Sequence, residues 1–348
     1  MPAIEGQNRL IELDSMRGIA ALSVVLFHYT TFYAKMYSHT APWPLDFWIG
    51  RYGVELFFMI SGYVIFLTLD KTNTPKEFIV SRFSRLYPVY WVAVLLTYSI
   101  TSSLSLPKYD VSLIDAIKNM SMVQEMVGAH NVDGVYWTLQ KELGFYLMAG
   151  TLFYSAAKKY TVHVILTIVM ANILILSLSL YDKIPGLWRV YNALPIEQLY
   201  LFCLGIALYL FHKNKITLYQ FCLMAGLCLV GAGVAINIKH LLIVTALFAC
   251  LYLAINVRPR FLRHPYLLFL GAISYPLYLV HNNIGSAIMY LMEHNGSPPT
   301  MAILFAVIVA IAMATLLNKF VEKPTMKWIR SRVRNKHAIC DGPTFTVP

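Results

Sequence analysis

Runs of about 20 predominantly apolar residues recur from one end of this 348-residue chain to the other. In hydrocarbon a backbone N–H or C=O finds no water, so each run must bond its own backbone, which leaves helices. Charged residues make up 13% of the chain, about half the share of an average soluble domain. The sequence therefore predicts an all-α integral membrane protein. Ten runs are legible: 16–34, 52–69, 86–103, 136–156, 162–181, 195–212, 217–235, 238–256, 266–292 and 300–321. An even number of spans puts both termini on one side. The N-terminus, alternate loops and tail carry about 20 Lys and Arg against about 7 in the opposite loops, which predicts that both ends are cytoplasmic. The densest inner stretches are Arg82/Arg85, Lys158/Lys159, Lys213/Lys215, Arg258/Arg260/Arg263 and the segment from Lys319 to Lys336.

Residues 1–336 read as one ten-span membrane domain, and 337–348 (HAICDGPTFTVP) as a disordered cytoplasmic tail. The first span is expected to act as an uncleaved insertion signal. The longest outer connection, 104–135, contains SLIDAIKNMSMVQEM, whose apolar spacing predicts an interfacial helix. No internal repeat is visible, which weighs against repeat-built transporters. Cys203, Cys222, Cys228 and Cys250 lie in apolar runs and Cys340 in the tail, so neither a metal site nor a disulfide framework is expected. The net charge of +11 is spread through short loops and the tail. Membrane orientation accounts for it, with lipid and not nucleic acid as the partner.

Ionisable residues inside such spans are costly, and their default reading is functional. Arg17 and His28 are eleven residues apart in the first span, close to three helical turns, so both lie near one face and Asp14 falls near it too. His28 is expected about 9 Å below the outer surface, and Glu142, counted inward from Tyr136, at a similar depth. Glu55 enters the second span from outside, and His281 lies near mid-membrane. These four heights are compatible with one polar cavity in the outer half. A histidine oriented by a carboxylate is a general base suited to activating a hydroxyl. On the inner side Arg82 and Arg85 share a helical face, and with Arg17 they make three guanidinium groups able to grip phosphate. A phosphate-bearing donor anchored there would extend a flexible arm along about 16 Å from Arg17 to His28. Ser61-Gly62 in an aromatic run permits a backbone break or, as favoured here, close helix packing, and Pro276, beside Tyr275, predicts a disrupted helix one turn before His281.

In chain order these segments resemble the acyltransferase-3 family of membrane O-acyltransferases. LDSMRGIAALSVVLFHY is similar to the family's opening, with Arg17 and His28 in their places. GVELFFMISGYVI resembles its second-span signature, including Glu55, Ser61 and Gly62. SRFSRLYPVYW carries an Arg-x-x-Arg element at Arg82 and Arg85. YWTLQKELGFYL is similar to a segment with Trp137, Glu142 and Tyr146, where Thr138 stands in place of a commoner serine and keeps the hydroxyl. ISYPLYLVH and FVEKP fit the last two spans. The resemblance covers about residues 10–330. It implies ten spans and transfer of an acyl group, most often acetyl from acetyl-CoA, to a hydroxyl of an exported glycan. It also implies His28 as the catalytic residue and the arginines as donor-handling groups. The soluble esterase-like domain of some members has no place in this sequence, so acceptor handling is expected within the membrane domain.

The expectation is therefore a multi-pass O-acyltransferase of the bacterial cytoplasmic membrane, with His28 and Glu142 catalytic. Arg17, Arg82 and Arg85 would bind acyl-CoA, the co-substrate, with no permanently bound cofactor or metal. Asp14, Glu55, Ser61, Trp137, Tyr275 and His281 would line or support the acceptor cavity, and the acceptor would be a sugar on a lipid-linked glycan. Direct attack on the thioester and an acyl-histidine intermediate both fit. A transporter for a glycan or polar solute, using the buried ions as a translocation path, is the alternative, and a non-catalytic scaffold is a third reading.

Overall fold

Where side chains are apolar at most positions, the backbone is the main polar group to be satisfied, and helices satisfy it locally. The computed structural model describes residues 10–41, 45–104, 106, 109, 111–183 and 194–340, and among them every regular element is helical. The principal helices are α1 (Ile11–Phe27), α2 (Gly53–Leu69), α3 (Pro75–Ser103), α4 (Leu113–Asn119), α5 (Trp137–Tyr154), α6 (Thr161–Ser177) and α7 (Leu199–His212). They continue with α8 (Leu218–Ala235), α9 (Ile238–Asn256), α10 (Pro265–Val280), α11 (Asn282–His294), α12 (Pro299–Leu317) and α13 (Lys323–Cys340). Six stretches are long and apolar enough to cross a bilayer: Trp48–Leu69, Pro75–Ser103, Ala156–Ser177, Leu218–Ala235, Ile238–Asn256 and Pro299–Arg332. The apolar α7 and α10 are shorter. The other expected runs coincide with α1 and its continuation and with α5, the helices that carry Arg17, His28 and Glu142.

Helix starts follow local chemistry. Thr74 caps α3 by accepting from the Glu77 amide, with Pro75 at the first helical position. Thr217 and Gln220 form a capping box at α8. The helices then pack through small residues. A Cβ on Gly271 of α10 would overlap the Asp14 backbone of α1, and one on Gly62 of α2 would overlap the Phe202 backbone of α7. The close approach expected of Ser61-Gly62 is therefore a backbone contact between α2 and α7. Dispersion and close fit, not water exclusion, hold such crossings in lipid.

Three elements depart from the sequence expectation. The single run 266–292 is two helices, α10 and α11, interrupted at His281. Pro276 cannot donate to Ala272, and Asn318 supplies the missing donor, its Nδ2 lying 2.9 Å from the Ala272 oxygen. The helix expected in the 104–135 connection covers only Leu113–Asn119, with Met122 at a φ of 64° three residues on, and its Leu113, Ile114 and Ile117 present an exposed apolar face. Finally, α1 does not run on as an α-helix. Residues His28–Phe32 form one π-turn, a device concentrated at functional sites, before helix resumes at Tyr33–Met36. At the other end α13 reaches Cys340, and the rest of the expected tail, 341–348, lies outside the described residues.

Candidate active site

The side chain at the head of the π-turn makes the most informative contacts. His28 Nδ1 lies 2.9 Å from the Val24 carbonyl and 3.1 Å from Nε2 of His281. A carbonyl only accepts, so His28 Nδ1 carries the proton. The other ring follows the same logic: His281 Nδ1 is 2.9 Å from the Tyr278 carbonyl and 3.2 Å from that of Leu277, so it too is protonated. His281 Nε2 therefore holds a lone pair that accepts from His28. Both rings are fixed in one tautomer, and His28 Nε2 is left as a free base on the cavity that His28 lines. His281 is fully buried, and Tyr29 donates to its backbone carbonyl at 2.8 Å, so the accepting ring is held on both sides.

This cavity has a volume of about 440 Å³ and is lined by His28, Glu55, Trp137, Tyr278, Asn282 and Arg51, among others. It is the first of a series. Val54, Phe58 and Tyr278 also line a 50 Å³ chamber that contains Arg17, Ser61, Glu142 and Tyr275. Those last four residues also line a 30 Å³ chamber with Arg82 and Arg85. Each chamber thus shares lining residues with the next, and the series lies between the imidazole and the guanidinium cluster. Arg82, Leu86 and Tyr146 in turn border an 830 Å³ apolar groove between α3 and α5.

At the end of the series away from His28, Arg82 donates from Nη2 to Thr68 and Ser81, each at 3.2 Å, while its buried Nε has no partner. Among the described residues none of Arg17, Arg82 and Arg85 forms an ion pair. Arg330 of α13 joins them, donating to Ser84 Oγ at 3.3 Å and to the Ser81 carbonyl at 3.4 Å. Three guanidinium groups lining a chamber with one carboxylate, Glu142, and a fourth beside them have the charge to grip an anion such as phosphate.

The pairing of His28 with Glu142 is corrected. Glu142 Oε1 accepts from Ser61 and Tyr146, both at 2.6 Å, and it lines the chambers of Arg17 instead of the cavity of His28. The cause is the depth at which α5 begins. Trp137, its first residue, already lines the cavity of His28, so Glu142 lies roughly 7.5 Å further in. Glu55, His281 and Trp137 do surround His28 or its cavity. Ser61 and Tyr275 stand one chamber inward, where Tyr275 also donates to the Leu86 carbonyl at 2.9 Å. Asp14 is not among the residues lining these chambers, and its backbone serves the crossing of α1 and α10.

One participant escaped the sequence reading. Asp133 is fully buried ahead of α5 and accepts from Asn282 Nδ2 at 2.8 Å, from the Asn283 amide at 2.9 Å and from the Val135 amide at 3.1 Å. Burial pushes its carboxyl up to about 6, against the opposing pull of those donors. It ties the start of α5 to the start of α11, next to His281. The signal was present in the two asparagines that follow His281 inside an apolar run.

A family profile described as an acyltransferase domain, of the acyltransferase-3 type, matches residues 10–319. The chain belongs to this acyltransferase family. It is similar to the exopolysaccharide production protein ExoZ of Rhizobium meliloti (strain 1021), with 33% identity over 115 residues, 31% of this chain and 36% of that protein. A putative acetyltransferase, ORF330, of Acidianus two-tailed virus is 25% identical over 135 residues, 39% of this chain and 38% of that one. The chain thus spans well under half of either relative. Acyltransferase MdmB of Streptomyces mycarofaciens is 24% identical across 93% of both chains. No solved structure matches significantly.

Proposed function

We propose that this protein is a membrane O-acyltransferase that moves an acyl group, acetyl in the simplest case, from cytoplasmic acyl-CoA to a sugar hydroxyl of a lipid-linked or exported surface glycan. In this reading the chain crosses a bacterial cytoplasmic membrane ten times with both termini inside, in keeping with its Lys and Arg distribution. The carrying observation is the run of chambers with shared lining residues between Arg17, Arg82 and Arg85 and the free Nε2 of His28.

The donor's phosphates lie at Arg82, Arg85 and Arg330, and its pantetheine arm passes Arg17 toward the outer cavity. The acceptor hydroxyl donates to His28 Nε2. As its oxygen attacks the thioester carbonyl, the proton moves to His28, and the new imidazolium donates from Nδ1 to His281 Nε2 and Val24. Collapse of the tetrahedral adduct breaks the C–S bond, and the departing thiolate takes up the proton from His28. The products are the ester and free CoA. The sugar acceptor is supported by the polysaccharide named in the ExoZ relative.

The test uses purified protein in nanodiscs with acetyl-CoA and isolated surface glycan. His28→Ala is expected to lose ester formation and CoA release while eluting as the folded protein does. Retained turnover would remove His28 from the chemistry. A transporter would release no CoA in any form of the protein.

A further inference from the structure

A further polar cavity lies outside the series that leads to His28. It has a volume of about 290 Å³ and sits among the end of α2, the turn between α5 and α6 and the turn between α7 and α8. The same end of the bundle carries the guanidinium cluster, since Thr68, two residues before Asp70 of this wall, accepts from Arg82 at 3.2 Å. Three ammonium groups, those of Lys158, Lys159 and Lys215, line the cavity against one carboxylate, Asp70. Asp70 is already engaged: it accepts from the Tyr209 hydroxyl and pairs with Lys215. Among the described residues Lys158 and Lys159 have no ion pair. Lys158 Nζ stands 3.6 Å from the centre of the Phe153 ring and Lys159 Nζ 4.8 Å from that of Tyr160, contacts that leave both charges in place. Gln220 has its carbonyl taken by the Thr217 amide at 2.9 Å, and its NH2 group is a further donor in the wall.

Orienting a chain in a membrane calls for lysines on one side, but not for a cavity that gathers them. Two adjacent cations without a carboxylate of their own repel each other, and an anion between them removes that cost. The rest of the wall selects the anion. Phe66, Leu210 and Ile216 make part of it apolar, a surface that a small soluble anion leaves unused. Tyr160 and Tyr219, each next in sequence to a lining residue, are 53% and 76% exposed, as tyrosines are at the headgroup level of a bilayer. We propose that this cavity binds the phosphate of an acidic membrane phospholipid, phosphatidylglycerol in the simplest case. The phosphate sits at Lys158 and Lys159, with Gln220 donating, and the glycerol backbone packs against Phe66, Leu210 and Ile216. Basic pockets between membrane helices take anionic head groups in this way. The site stands apart from acyl transfer and does not depend on it.

The experiment uses native mass spectrometry of the full-length protein in detergent, titrated with phosphatidylglycerol or phosphatidylcholine. Phosphatidylglycerol is expected to bind about 30-fold more tightly, the combined effect of two lysines on an anionic head group. Lys158→Gln combined with Lys159→Gln is expected to cut that preference to about 3-fold or less. Lys323→Gln combined with Lys327→Gln removes the same charge from α13 and is expected to leave the preference within about 2-fold of its original value. On the unaltered protein, phosphatidylglycerol with a photoactivatable diazirine in its head group is expected to label peptides that contain residues 153–163 and 215–220. Equal binding of the two lipids overturns the site, as do equal losses in the two double variants and labelling confined to other peptides. Displacement of the lipid by acetyl-CoA or by inorganic phosphate gives the cavity to a soluble anion and overturns the lipid as its occupant. The labelling decides the matter even if a variant fails to fold.

Discussion

Replacing His281 with leucine removes the acceptor at 3.1 Å from His28 while keeping the site filled by a side chain of similar bulk. The proton on His28 Nδ1 stays fixed, because Val24 still accepts it at 2.9 Å. The tautomer error that costs serine hydrolases about 10⁴ when their aspartate is neutralised is therefore not expected. What is lost is the strengthening of one hydrogen bond as His28 becomes cationic. A neutral bond contributes about 1 kcal/mol and one to a charged group about 1.5–3, so the differential is about 0.5–2 kcal/mol. That converts to a fall of about 2- to 30-fold in kcat/KM, with KM for acyl-CoA unchanged. The assay is CoA release by wild type, His281→Leu, His281→Gln and His28→Ala in parallel. His281→Gln offers a carbonyl oxygen to His28 and is expected to recover most of the loss, which a packing role alone would not produce. A fall as deep as that of His28→Ala would make His281 a base in its own right. No fall at all would reduce the contact between the rings to packing. Either result would refute the relay.

Three further outcomes follow from the geometry. Arg82→Ala and Arg85→Ala should each raise KM for acetyl-CoA about ten-fold, with a smaller penalty at high salt, and an unchanged KM would remove them from donor binding. Gly62→Ala should lower thermal stability in detergent by about 1–3 kcal/mol, since the added methyl meets Phe202 backbone, and an unaltered melt would contradict the close crossing. Asp133 reaches about 6 in the folded chain against about 3.9 unfolded, so the folded state holds that proton more tightly. Its stabilising contribution is complete below about pH 4 and is lost as pH rises through about 6, and melts of Asp133→Asn should flatten that slope.

The sequence was a good guide wherever lipid imposes a one-dimensional constraint. Apolar runs had to become helices, and the spacing of Arg17 and His28 had to place them on one face. It was a poor guide to rotation and to absolute depth. Glu142 was assigned a height by counting from an assumed surface, but Trp137 at the start of α5 already lines the cavity of His28, and the carboxylate turns to Ser61 and Tyr146. The partner of His28 proved to be the other histidine already singled out. That pairing depends on α1 and α10 crossing at Gly18 and Gly271, which no spacing within either helix specifies. Asp133 was overlooked because it precedes a span, although two of its three bonds reach the residues right after His281.

The glycine seam between α1 and α10 also governs which parts can give way. It clamps the two imidazole-bearing helices backbone to backbone, like two halves of a fixed jaw, so neither can swing aside when a bulky thioester arrives. Yet the 50 and 30 Å³ chambers must dilate to let an arm through. The second helix, α2, is clamped in the same way, to α7 at Gly62 and to α1 at Gly53, so the parts left to yield are side chains, among them Phe57, Phe58 and Leu139 of the 50 Å³ chamber.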